Sequence, residues 1–186
     1  MRIVKLTDET RKDLLSTLLK RSPNQYGEYE ETVARIVDDI RERGDAALFE
    51  YTEKFDHITL TPDTVKVTEQ EIEEAYGEVD PQLLDVIRKA LVNIRSYHEK
   101  QRRYSWFDSK ENGIMLGQKI SPLQRAGVYV PGGKAVYPSS VLMNVVPAKV
   151  AGVPQIIMTT PCRNGKVSAN TLVAAHEAGV DEIYKV

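Results

Sequence analysis

The sequence predicts an α/β fold: a Rossmann-like parallel sheet built from βαβ units and preceded by a helical N-terminal appendage. Two observations carry the sheet. Residues 126–130 and 155–160 are short apolar runs, and each is followed by a turn and then a helical stretch. Strand, turn, helix and strand in succession is how parallel strands are joined, because a parallel pair needs a crossover. A third observation carries the appendage: residues 1–105 show helical periodicity and helix start signals, with one weak strand. The final stretch, 181–186, reads as a further strand, so the sheet is expected to be incomplete within this chain.

A length of 186 residues suits one ordinary domain, or one α/β domain with a helical addition. With 41% hydrophobic and 28% charged residues, the composition is that of a globular protein. A net charge of −2 gives no basic excess to attract nucleic acid. No apolar run reaches the roughly 18 residues that a membrane span requires. The opening MRIVKLTDETRKD is too charged for a signal peptide. A single cysteine, Cys162, excludes an internal disulfide and suits the cytoplasm.

Taken in order, Thr7 caps a first helix whose Leu14, Leu15, Leu18 and Leu19 share one face, and residues 21–27 break it. A second helix from about Tyr29 carries the stripe Val33, Ile36, Val37 and Ile40, and Gly44 closes it. A third, starting at Asp45, ends near Lys54-Phe55-Asp56. Residues 58–67 suggest an edge strand. Thr68 with Glu71 forms a capping box, and Asp80-Pro81 opens a long helix that reaches towards Arg103. Asn112-Gly113 is a turn signal, and Ile114, Leu116, Gln118 and Ile120 alternate as in a hairpin strand. The strand 126–130 then runs into Pro131-Gly132-Gly133, followed by a helix opened by Ser139 or Ser140 and interrupted by Pro147. After the strand 155–160, residues 161–166 turn, Ser168 caps a helix and Gly179 closes it.

The turn at 131–133 is the strongest candidate site, because open α/β sheets bind ligands where strands hand over to helices. Gly132 and Gly133 permit positive φ and close approach of a ligand to the backbone. The turn meets neither G-x-G-x-x-G nor the P-loop pattern, since Gly133 stands where the lysine belongs. The residues alone leave two readings open, a ligand cradle or a tight turn. Tyr129 is likewise either a flat ligand-facing ring or a core tyrosine. His57, His98 and His176 are scattered and suggest no metal cluster, and His98 reads as the margin of a helical stripe. Cys162 has no neighbouring base and reads as passive. The pairs Glu30-Glu31, Asp38-Asp39 and Glu73-Glu74 read as solvated helix faces.

The stretch VYVPGGKAVYPSSVLMNVVPAKVAGV closely resembles the histidinol dehydrogenases. The likeness extends to Lys54-Phe55-Asp56, Ser121-Pro122, Thr160-Pro161 and Ala178-Gly179-Val180, and so covers essentially the whole chain; Cys162 stands where the family often has a second proline. The resemblance implies oxidation of L-histidinol to L-histidine through histidinal by two hydride transfers to NAD, one zinc per site, and an intertwined homodimer. It implies that Tyr129 contacts NAD, that Pro131, Gly132 and Gly133 line the same pocket, and that Phe55 flanks its adenine end. On this reading residues 1–105 are a mainly helical region and 106–186 the first part of a Rossmann-like NAD-binding domain. The zinc ligands and the proton-handling residues are expected beyond Val186, so no catalytic or metal residue is assigned here, and the chain is expected to be an inactive N-terminal portion. A non-catalytic nucleotide-binding or assembly module is the alternative, and a site for a phosphorylated metabolite is a weaker one.

Overall fold

Residues 5, 7–12, 27–132 and 136–186 are described in a computed structural model of the chain. They fall into two compact units, residues 1–48 and 49–186. In the first, the Thr10 amide donates to Thr7 Oγ1 at 3.2 Å, and residues 8–12 are helical. The four leucines of the predicted first helix lie outside the described residues. Helix α1 (Gly27–Arg43) is closed by the Gly44 amide, which bonds to the Ile40 carbonyl at 2.8 Å. Its apolar stripe is not a buried face: Val33 and Val37 are exposed. Helix α2 (Asp45–Asp56) follows and runs across the boundary between the units.

In the second unit, α3 (Glu69–Glu78) begins with the predicted capping box: Thr68 Oγ1 accepts from the Glu71 amide, and Glu71 Oε2 accepts from the Thr68 amide at 2.9 Å. Asp80 caps α4 (Pro81–Glu99), accepting from the Gln82 amide at 2.8 Å with proline at the first helical position. The helix stops four residues short of Arg103. Strands β1 (Trp106–Ser109) and β2 (Met115–Gln118) pair antiparallel across the Asn112-Gly113 turn, as the alternation predicts.

The parallel sheet comprises β3 (Arg125–Tyr129), β4 (Gln155–Thr160) and β5 (Glu182–Lys185), in that spatial order. Crossover helices α5 (Pro138–Ala151) and α6 (Ala169–Ala178) join them. The serines do not open α5; Pro138 does, its fixed φ suiting the first helical position, where no amide bond is needed. Gly152 and Gly179 end the two helices at φ +88°, a conformation that penalises any residue bearing a Cβ. The predicted edge strand at 58–67 shrinks to residues 65–67. These run antiparallel along the outer side of β5: the Val67 amide donates to the Ile183 carbonyl, and the Lys185 amide to that of Val65.

The core forms where β4 buries Ile156, Met158 and Thr160 against Val141, Leu142 and Val145 of α5 and Leu172 and Val173 of α6. Helix α4 packs on α5 and α6, and α3 on α6. Polar ties join these layers. Tyr76 donates its hydroxyl proton to Glu177 at 2.8 Å, and Arg88 grips the same carboxylate through two nitrogens at 3.0 and 2.8 Å. Burial, then the hydrogen bond to this carboxylate, pushes the Tyr76 phenol up to about 12. Asp181 accepts from the Ile156 amide at 2.7 Å and from Lys149 Nζ at 3.1 Å, fastening the entry of β4 to that of β5.

Among the described residues the most buried charge is Lys185, only 6% exposed, on β5. Its Nζ donates to Glu71 Oε1 at 2.6 Å, so the carboxylate that caps α3 also neutralises the sheet's lysine. Burial alone would raise the Glu71 carboxyl, but the bonds from Lys185 and Thr68 outweigh it and hold it low.

Removing this carboxylate leaves Lys185 buried without its counter-charge and the cap half made. We expect Glu71→Ala to lose about 2 to 3 kcal/mol and about 5 to 10 °C in Tm by calorimetry. The double variant Glu71→Gln with Lys185→Met should recover part of the loss. Glu71, Glu177 and Asp181 all hold their carboxyls below the usual range. Their contribution is therefore complete above the unfolded value, about 4.3 for glutamate, and is lost as pH falls through the lower folded values. Denaturant midpoints should hold steady from pH 7 to 5 and fall below that, with a shallower fall in Glu177→Gln.

Candidate functional site

The carboxyl ends of β3 and β4 stop side by side. Tyr129 is in register with Thr159, and the Val130 amide donates to the Thr159 carbonyl at 2.9 Å, so the pairing continues into the turn. Beyond it lies a cleft of about 320 Å³ lined by Gly132, Thr160, Pro161, Arg163, Lys166 and Ser168, among others. One wall is the turn after β3, another the turn after β4, and the floor the start of α6.

Each wall has a local cause. Gly132 does not use a positive φ, and a Cβ there would stand 3.4 Å from the Pro161 carbonyl oxygen, an ordinary van der Waals contact, so within this chain neither backbone conformation nor space demands glycine. The two strand-end turns meet here, Gly132 against Pro161. In the opposite wall, Asn164 and Gly165 both have positive φ, at 51° and 76°. They form a two-residue turn in which Arg163 and Lys166 exchange backbone bonds at 2.8 and 2.9 Å. This turn brings the two cationic side chains to one edge of the cleft. Ser168 precedes α6 without a side-chain cap bond, and its carbonyl accepts from the Leu172 amide instead.

Of the four described cofactor-contact residues read from the sequence, Gly132 lines this cleft and Tyr129, Pro131 and Phe55 do not. Tyr129 ends β3 with its side chain 60% exposed, an open aromatic surface and not a core tyrosine. Pro131 is exposed between them, and Gly133 lies outside the described residues. Phe55 sits in the last turn of α2, stacked on Tyr51 with ring centroids 5.8 Å apart and Lys54 Nζ 5.5 Å from its centre. Sequence reasoning missed Arg163 and Lys166, although Asn164-Gly165 was a readable signal for the hairpin that pairs them.

This chemistry fits a dinucleotide in kind. Two cations, set against one lining carboxylate, Glu78, and the start of a helix favour a diphosphate, and an exposed tyrosine offers a stacking face. It does not fit zinc: no group of three or more His, Cys, Asp or Glu among the described residues could hold a metal ion. His98 Nδ1 lies 2.7 Å from Gln101 Oε1, and His176 Nδ1 2.9 Å from the Tyr76 hydroxyl. Cys162 is buried, and burial raises its thiol, with nearby Lys185 opposing; it stays protonated at neutral pH, in keeping with a passive role. No described helix is long and apolar enough to cross a membrane.

Comparison with known proteins matches residues 19–186 to the profile of the histidinol dehydrogenase family. A histidinol dehydrogenase from Heliobacterium mobile is 57% identical over 155 residues, covering 83% of this chain and 36% of that protein. One from Syntrophotalea carbinolica is 44% identical over 186 residues, all of this chain and 43% of that protein. The crystal structure of histidinol dehydrogenase from Elizabethkingia anophelis superposes with a TM-score of 0.78 at 32% identity, over 85% of this chain and 36% of that one. The chain thus spans well under half the length of these relatives. By profile, sequence and fold, it belongs to the histidinol dehydrogenase family.

Proposed function

We propose that this chain supplies one wall of the NAD pocket of an enzyme that oxidises L-histidinol to L-histidine through histidinal. The observation that supports it is the exposed Tyr129 ring at the carboxyl end of β3, followed at once by the turn whose Gly132 lines the cleft. Tyr129 and Pro131 give the cofactor a flat apolar contact, Gly132 and Gly133 let it approach the backbone, and Phe55 flanks the adenine end. Arg163 and Lys166 lie on the side of the cleft that suits its phosphates. When bound, NAD accepts hydride from the substrate carbon. The residues described here orient the cofactor and shield it from water; they do not move the substrate's proton.

Residues 106–186 are read as the first part of the NAD-binding domain, with 1–105 as the mainly helical region before it. The zinc ligands and the proton-handling residues are assigned to polypeptide outside these 186 residues, and the full-length protein is read as a homodimer. The 186-residue chain is therefore proposed to be inactive alone.

Titration calorimetry with NAD tests the pocket. Weak saturable binding is expected, and Tyr129→Ala should weaken it about tenfold, the loss of a stacking contact worth about 1 to 1.5 kcal/mol. Binding unchanged by Tyr129→Ala and by Arg163→Gln would remove the pocket from this face. A separate assay with zinc, NAD and histidinol should give no turnover, and product above background would overturn the proposed inactivity.

A further inference from the structure

At the other pole of the sheet, where the strands begin, the structure carries a second groove. One lobe, of about 360 Å³, lies between the end of α4, the segment 101–105, residues 120–122 and the last turns of α5. A second lobe, of about 390 Å³, adjoins it and shares Arg102, Tyr104 and Val150. The position follows from the chain: Pro122 leads into β3, Ala151 leads towards β4, and Pro122 lies within 4 Å of a Cβ built on Gly152.

The groove is cationic. Arg95, Arg102, Arg103 and Lys149 line it, against one lining carboxylate, Glu99. Lys149 is partly engaged by Asp181 at 3.1 Å. Arg95, Arg102 and Arg103 make no ion pair with a described carboxylate, Glu99 included, although Glu99 lies one turn from both Arg95 and Arg103. The Arg102 guanidinium carbon lies 5.4 Å from the centre of the Tyr104 ring, within cation–π range. Three arginines line the two adjoining lobes, one of them beside an aromatic ring, and guanidinium groups suit bidentate recognition of phosphate oxygens.

We propose that this groove is a phosphate-binding site, separate from the NAD cleft, that takes inorganic phosphate or the phosphate group of a small ester. Arg95 and Arg102 hold the oxygens, and Tyr104 provides a face for the organic part of an ester. Nothing in the proposal depends on the NAD pocket.

The test is an ¹⁵N-resolved NMR titration of the 186-residue chain with three probes at constant ionic strength: inorganic phosphate, ribose 5-phosphate and chloride. Phosphate and ribose 5-phosphate should shift the amides of residues 101–105 and 149–151 saturably, and chloride should not. Arg102→Gln and Arg95→Gln, both at the surface, should each weaken binding about tenfold. Tighter binding of ribose 5-phosphate than of phosphate, lost in Tyr104→Ala, identifies an ester as the fitting ligand; equal binding identifies the free anion. The proposal is overturned if the shifts fail to saturate, if chloride reproduces them, if both arginine variants bind as the parent does, or if the shifts fall only on residues 160–168. That last outcome would leave the NAD reading untouched.

Discussion

One carboxylate holds the layers of the larger unit in register. Glu71 completes the cap of α3 with one oxygen and meets the buried ammonium of Lys185 with the other. A lysine inside a sheet is tolerable only with a counter-charge at hydrogen-bond distance, because a lone ammonium there loses its hydration with nothing in return. A helix start and a strand end more than a hundred residues apart are thereby brought together. The Arg88–Glu177–Tyr76 tie and the Asp181 fastening act in the same way, each spanning two elements that sequence separates. The apolar core sets the layers; these charge-assisted bonds set how the layers are aligned.

What was legible in the sequence was what is local. The Thr68–Glu71 box, the Asp80-Pro81 start, the Asn112-Gly113 turn and the glycine ending α6 each declare themselves within four residues, because capping and turn chemistry act over that distance. The βαβ order follows from the alternation of such signals, and the family motif from VYVPGG. The remainder depends on partners far along the chain. Glu71 looked like a cap and no more, since nothing near it names Lys185. The pairing of residues 65–67 with β5 is equally invisible, and a stripe such as Val33 and Val37 states only that a face is apolar, not that it is covered. Gly132 was read for its backbone freedom, yet it uses no positive φ and a Cβ there would make only ordinary contacts with Pro161.

The two grooves of the sheet divide along the same line. At the carboxyl ends, the wall that contains Gly132 belongs to a motif that could be read directly, while the wall made by Arg163 and Lys166 arrives by a crossover. At the amino ends, the cationic groove gathers side chains from α4, the loop after it and α5. No short motif describes it, because its members come together only when α5 packs on α4.

The segment 65–67 has one more consequence. By occupying the outer side of β5 in the antiparallel sense, it uses the backbone groups that a further strand would need there. The other border of the sheet is β3, unpaired on its outer side among the described residues. Lateral extension is thus directional, and it can proceed only alongside the strand that ends in Tyr129. Any backbone laid there would set the surroundings of that ring as well, so protecting a vulnerable strand edge and shaping the environment of the exposed aromatic are, in this fold, the same event.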